Sequence, residues 1–302
     1  MTIPYTTSNS WVILSPIELS IKQKIEAIGT PLRDWDIKIS RGILTGCNDA
    51  FIISSEKRNE ILRNCKTDQE YNSTVEIIRP ILRGRDIKRY GYDWAGLYVI
   101  LASFGSHKWL KEKYPAVYDH LLQYRSRLEN RGQCRYTASG KPNLKQGAPY
   151  LGQHHWLELD NNPSSDYLDD FSKQKVVWGE ISDKPKFAFD NGEYIQEATT
   201  FLMTGSESKY LLAFLNSQLS MYFFSKIGTT TGVGTVRWKK YKLEEIPIPF
   251  PTPERLNMLV PLIDDLLLGY SNDKEFEMNK AVYSIYSFSA DEIAYIEDFH
   301  YD

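Results

Sequence analysis

Cysteine is scarce in this 302-residue chain, and Cys47, Cys65 and Cys134 show no C-x-x-C spacing. An odd, scattered set gives neither a disulfide framework nor a zinc site, so a reducing compartment is expected. Histidines are dispersed too. The adjacent pair His154 and His155 would face opposite ways on a strand, so no metal site is expected. Long apolar runs are absent: Trp94 to Phe104 is about half of the ~20 residues that a spanning helix needs. With no basic region followed by an apolar stretch at the start, a cytoplasmic protein without a membrane partner is expected.

The signatures of common catalysts are missing as well. The small-residue loop Gly228 to Gly234 has neither the Gly-Lys-Ser/Thr ending of a phosphate loop nor a G-x-G-x-x-G order, so nucleotide binding is not expected. Asn162-Pro163-Ser164-Ser165 lacks the second proline and the aromatic ring of an adenine-flipping loop, and an Asn-Pro turn explains it. Asp36-Ile-Lys38 and Asp86-Ile-Lys88 have the D-x-K spacing of magnesium-dependent nucleases, but neither has a second well-placed carboxylate. No catalytic residue is assigned, no metal ligand is assigned, and a D-x-K nuclease stands as the enzyme rival.

What is present is a globular composition, 42% apolar and 13% aromatic, with an uneven charge. From Glu254 to the end, three cations face eleven carboxylates, a net of -8, which leaves residues 1 to 253 at +5 within a total of -3. The acidic end hides a basic body. Arg79-Pro-Ile-Leu-Arg-Gly-Arg-Asp-Ile-Lys-Arg-Tyr90 holds five cations against one carboxylate, around Gly84. Arg suits DNA on two counts, since its fork grips phosphate and also matches guanine O6 and N7. The alternative is a solvated turn with Asp86 salt-bridged to a neighbour. A second basic stretch sets Arg125, Arg127, Arg131 and Arg135 around Gly132. It leads into a polar loop, 137–150, of a length that is functional or disordered in compact domains. A third, Arg237-Trp-Lys239-Lys240, follows the small-residue loop, where phosphate contact and plain turn chemistry both fit. Thr45, Gly46 and Asn48 form a turn whose residues suit a tight bend as well as DNA.

The pattern predicts a mixed α/β fold. Ser15-Pro16-Ile17-Glu18 opens a helix to Gly29 with a capping box. Strands are expected at Trp35 to Ser40, within Gly42 to Ile53, from Trp94, at Trp156 to Leu159, at Lys175 to Ile181, at Lys186 to Asp190 and at Tyr194 to Met203. Helices are expected at 55–64, around Tyr114 to Leu122, at 210–226, 254–268 and 275–286, with a last capping box at Ser289 to Glu292. The prolines of Ile246 to Pro253 predict an extended connector. The expected organisation is a polar leader or linker remnant at 1–10, a main domain at 11–250 and an acidic helical tail at 251–302 that docks on a partner or on the domain itself.

Taken in order, Gly42-Ile-Leu-Thr-Gly-Cys-Asn-Asp-Ala-Phe-Ile-Ile53, the Arg79 to Tyr90 motif, Lys175-Val-Val-Trp-Gly-Glu-Ile181, Leu212-Ala-Phe-Leu-Asn-Ser-Gln-Leu219 and Glu245-Ile-Pro-Ile-Pro249 resemble the TaqI-like C-terminal specificity domain. That is the target recognition domain of adenine-specific DNA methyltransferases in type II and fused type IIG restriction-modification enzymes. The resemblance implies a target-recognition-type sheet with packed helices that binds double-stranded DNA sequence-specifically and catalyses nothing alone. A methyltransferase domain, and with it a nuclease domain in fused enzymes, would act in cis or as a separate subunit. That domain would use S-adenosylmethionine, with no cofactor in this chain.

On this reading Arg79, Arg83, Gly84, Arg85, Lys88, Arg89, Thr45, Gly46, Arg237, Lys239 and Lys240 lie at the DNA backbone. Arg131, Gln133, Arg135 and Lys145 are the candidates for base edges, and Asp86 braces the arginines. A protein-interaction module with solvated basic loops is the non-enzymatic rival.

Overall fold

The computed structural model describes residues 14–132, 134, 154–161, 163–227, 229–230 and 235–300. The leader at 1–10 and the loop at 137–150 lie outside them. In chain order the described strands are β1 Thr30–Pro31, β2 Ile37–Arg41, β3 Ile52–Ser54, β4 Ile78–Leu82, β5 Leu97–Ile100, β6 Lys175–Gly179, β7 Ile181–Ser182, β8 Phe187–Asp190, β9 Ile195–Gln196, β10 Thr200–Gly205, β11 Thr229–Thr230, β12 Val236–Arg237 and β13 Pro247–Ile248. They form sheets ordered β2-β10-β6-β8, β3-β5-β4-β9, β11-β12-β7 and β1-β13. Helices pack around them, so the architecture is mixed α/β.

The β2-β10-β6-β8 sheet is central because both of its faces are covered. Val176, Trp178, Phe187, Phe189, Phe201 and Met203 enter one core with the helices Pro16–Ile28 and Ser208–Asn216. Val177, Ala188 and Leu202, the alternate positions of the same strands, enter the other core with β4 and β5. Alternate side chains of a strand point to opposite faces, so a strand covered on both sides must be apolar throughout. This accounts for the unbroken runs Val176-Val-Trp178 and Phe187-Ala-Phe189.

The first helix forms as its sequence predicts. The Ser15 hydroxyl accepts from Glu18 N and the Glu18 carboxylate from Ser15 N, closing the capping box. The connector is extended, and its β13 pairs with β1 through Thr30 and Ile248. The C-terminal helices Pro253–Leu268, Asn272–Ile285 and Ala290–Glu297 bury Leu259, Ile263, Met278, Val282 and Ile296 in the core that holds Trp178. The acidic tail thus docks on the body.

Three expectations are corrected. Trp156 to Leu159 is a turn, not a strand, built around Glu158, whose fully buried carboxylate accepts from Gly105 N and His155 N. Tyr194 to Met203 divides into β9 and β10, because Glu197 turns the chain by accepting from Thr199 N and Thr199 Oγ1. The helix expected at 210–226 is two, Ser208–Asn216 and Gln218–Ile227. Ser217 is extended between them, its hydroxyl donating back to Phe214 O and accepting from Ser220 N. A helix at Asp68–Ile77, capped by Thr67, was not expected at all.

Candidate nucleic-acid interface

The arginine motif begins on β4 and turns at Gly84–Asp86. Asp86 is buried there and organises the turn. Its carboxylate accepts from Arg83 N at 2.9 Å, Arg83 Nε at 3.0 Å and Arg83 Nη2 at 2.8 Å. Burial alone would raise the Asp86 pKa, but the hydrogen bonds from Arg83 outweigh it and the net is a lowered pKa, so the carboxylate stays charged. Gly84 then meets the end of β6. A Cβ on Gly179 would stand 3.3 Å from both Gly84 Cα and Gly84 O, so two glycines let the backbones touch. This contact fixes Arg85 and Lys88, both exposed, beside β6 and β7.

An open cleft of about 390 Å³ results, with Arg85, Lys88, Lys186 and Arg237 on its walls and Glu180 among them. The Glu180 carboxylate, mostly buried, receives Arg237 Nη1 at 3.1 Å on one oxygen and Arg41 Nη2 at 3.5 Å on the other. Arg41 Nε also donates to Ala198 O at 2.6 Å. Lys240 reaches the same edge, its Nζ donating to Ile39 O of β2 at 3.1 Å. Arg41 in turn lines a second cleft, of about 440 Å³, with Ser40, Leu44, Asp160 and Tyr167. Tyr167 closes this cleft by donating its hydroxyl to Arg41 O at 2.6 Å. The two clefts therefore adjoin through the Arg41–Glu180 pair, and cations from the 79–90 and 237–240 stretches meet at one of them.

Several expected residues stand elsewhere. Arg131 is a correction: it is 6% exposed, and its guanidinium donates to the carbonyls of Thr45 at 2.6 Å, Glu158 at 2.7 Å, Trp156 at 2.9 Å and Leu128 at 3.1 Å. With its fork taken up by backbone oxygens it has no edge left for a base. It staples the Thr45 turn to the segment after the polar loop, and burial pulls its pKa below the usual value.

Arg89 is a second correction. It lies under the C-terminal helices, bonded to Glu275, to Asn216 O and to Pro185 O, with 13% of its side chain exposed. It ties tail to body and does not face the cleft. Thr45 is a third, since its hydroxyl is buried and bonded to Asn48 Oδ1 at 2.5 Å and Cys47 N at 3.1 Å, which is turn chemistry. Gly46, at φ +66°, is exposed beside it. Arg79 is half-buried and donates to Gly192 O at 3.3 Å. Lys239 is half-buried next to Arg237. Gln133, Arg135 and Lys145 lie outside the described residues.

Arg41, Glu180 and Lys186 were not singled out from sequence, although Arg41 adjoins Gly42 and Glu180 sits inside the Lys175 to Ile181 motif. The D-x-K pairs are otherwise engaged. Lys38 pairs with Asp170 at 2.5 Å, Asp86 holds Arg83, and Lys88 Nζ donates to Arg85 O at 2.9 Å. Among the described residues no three His, Cys, Asp or Glu side chains are grouped to hold a metal, and no helix is long and apolar enough to cross a membrane.

Residues 79–248, more than half of the chain, match the family model of the TaqI-like C-terminal specificity domain. The type II methyltransferase M.MjaIV of Methanocaldococcus jannaschii is 20% identical over 246 residues, which is 80% of this chain and 74% of that protein. The type IIL restriction-modification enzyme MmeI, solved in complex with DNA, superposes at a TM-score of 0.58 with 11% identity. That superposition covers 90% of this chain and 36% of MmeI, so the chain spans about a third of the solved enzyme it matches and shares its fold there. With its arginine turn, three of the four strands of the central sheet and the start of the Pro-Ile-Pro connector inside the matched segment, the chain belongs to the family of TaqI-like C-terminal specificity domains.

Proposed function

We propose that this chain is the sequence-reading part of a restriction-modification system. It binds duplex DNA and presents one site to an adenine-specific methyltransferase domain, which uses S-adenosylmethionine and acts in cis or as a separate subunit. The observation that carries the reading is the pair of adjoining clefts where Arg41, Arg85, Lys88, Lys186 and Arg237 gather. Protein cations that neutralise phosphates release counterions, so affinity falls with salt in proportion to the contacts made. Arg85 and Lys88, exposed and held by a rigid turn, act on phosphates. Arg83 supports the turn through Asp86.

A salt titration by filter binding tests this. Arg85→Ala lowers the slope of log K against log[salt] by about 1 and weakens binding to all sequences alike. An unchanged slope removes Arg85 from the interface. Failure of the unmodified chain to retain any duplex at moderate salt overturns the reading altogether.

A further inference from the structure

The β11-β12-β7 ribbon edges the cleft, and one of its residues is unlike the rest of that surface. Ile181 is 51% exposed, yet it lines the cleft with Arg85, Lys88 and Arg237. In the antiparallel register it stands directly opposite Arg237, so the two side chains leave the ribbon on the same side. Val236, one position along, is buried. Single exposed aliphatics are ordinary on proteins, but this one sits among cations at the concave site. Beside it Glu180 steadies the Arg237 fork at 3.1 Å. A β-ribbon fits the major groove of B-form DNA. The apolar feature that a base edge offers there is the 5-methyl group of thymine.

We propose that Ile181 is a specificity-determining residue that reads thymine through its methyl group, with the ribbon lying in the major groove and the neighbouring cations on the flanking phosphates. The inference rests on the reading of the cleft as a site for duplex DNA. The occupant it commits to is a double helix, to which the charge of Arg85, Lys88 and Arg237 is complementary. Arginine beside an aliphatic residue on one ribbon face supplies a phosphate anchor that fixes the register and a methyl-sized apolar surface that meets the base edge.

The test uses the full chain and a random-sequence duplex pool. The bound site is selected, and each thymidine in it is then replaced singly by deoxyuridine, which removes the methyl group and nothing else. The expected result is one position at which the unmodified chain binds the deoxyuridine duplex about fourfold more weakly, the factor that one buried methyl supplies. Ile181→Ala binds the thymidine and deoxyuridine duplexes equally at that position while keeping the salt slope of the unmodified chain.

The inference is overturned by a selected site without thymine, by deoxyuridine having no effect at any position, or by Ile181→Ala retaining the discrimination. A uniform loss of affinity for all duplexes in Ile181→Ala also overturns it. If the unmodified chain selects no duplex, the DNA reading of the cleft fails and this inference with it. A selected duplex with no methyl effect removes Ile181 alone.

Discussion

Replacing Arg131 with methionine keeps the length of the side chain and removes its donors. The guanidinium makes its bonds under 3 Å to carbonyls outside regular structure, those of Thr45, Trp156 and Glu158, at 2.6, 2.9 and 2.7 Å. A buried acceptor left without a donor costs about 1–3 kcal/mol. Taking the lower figure for each, because water can enter a loosened loop, the loss is about 3 kcal/mol. That is a large part of the ~5–15 kcal/mol that stabilises a domain.

Urea unfolding followed by tryptophan fluorescence reads the loss as a lower midpoint at an unchanged slope. The DNA assay adds a second reading. Once affinity is corrected for the folded fraction, Arg131→Met keeps the base preferences of the unmodified chain, because the residue touches carbonyls and no base. A variant that is as stable as the unmodified chain and has relaxed preference at one base pair would refute this, and would return Arg131 to the base edges.

Four further outcomes follow from the same geometry. Arg89→Ala leaves the salt slope unchanged while lowering stability, since it breaks the Glu275 tie to the C-terminal helices; a shallower slope would place Arg89 on DNA. Glu180→Gln releases Arg41 and Arg237 and removes a negative charge, so binding to random duplex tightens; weaker binding would mean that Glu180 acts chiefly by positioning the two forks. Asp86→Asn strips the charge pairing from Arg83 and lowers the unfolding free energy by about 3 kcal/mol for a broken, mostly buried pair, read as a lower midpoint; an unchanged midpoint would contradict the brace.

The last outcome concerns pH. Burial opposes the charge on Glu292, but hydrogen bonds from Lys24, Ser20 and Ser289 prevail and bring its pKa from 4.5 down to about 2. A depressed carboxylate contributes stability that is present above 4.5 and lost as pH falls towards 2. Glu292→Gln should flatten that part of the acid-unfolding profile by about 2 kcal/mol, discounted because Lys24 is a third exposed. An unaltered profile would show that the pair contributes nothing to docking the tail.

Local signals in the chain were legible where one segment carries the whole cause. The Ser15 and Ser289 capping boxes, the extended Pro-Ile-Pro connector and the bracing of the arginine turn by Asp86 each depend on residues two or three apart. What was not legible depends on distant partners. Arg131 and Arg85 are the same residue in equally basic stretches. One is buried because carbonyls from Thr45, Trp156 and Glu158 surround it, and the other is exposed on the turn that packs Gly84 against Gly179. The apolar alternation of Trp156 to Leu159 resembles a strand, yet Glu158 in its midst gathers the backbone N–H groups of Gly105 and His155 and forces a turn. Arg41 and Glu180 are 139 residues apart and join two clefts in a way that no spacing announces.

The convergence of separate basic segments on one duplex can be read directly by lysine acetylation with mass spectrometry, in the presence and absence of the selected DNA. Lys88 from the arginine turn, Lys186 from the segment before β8 and Lys240 after β12 should become protected together, at the same DNA concentration. Protection of one of the three with the others still reactive, or of none, would contradict the account.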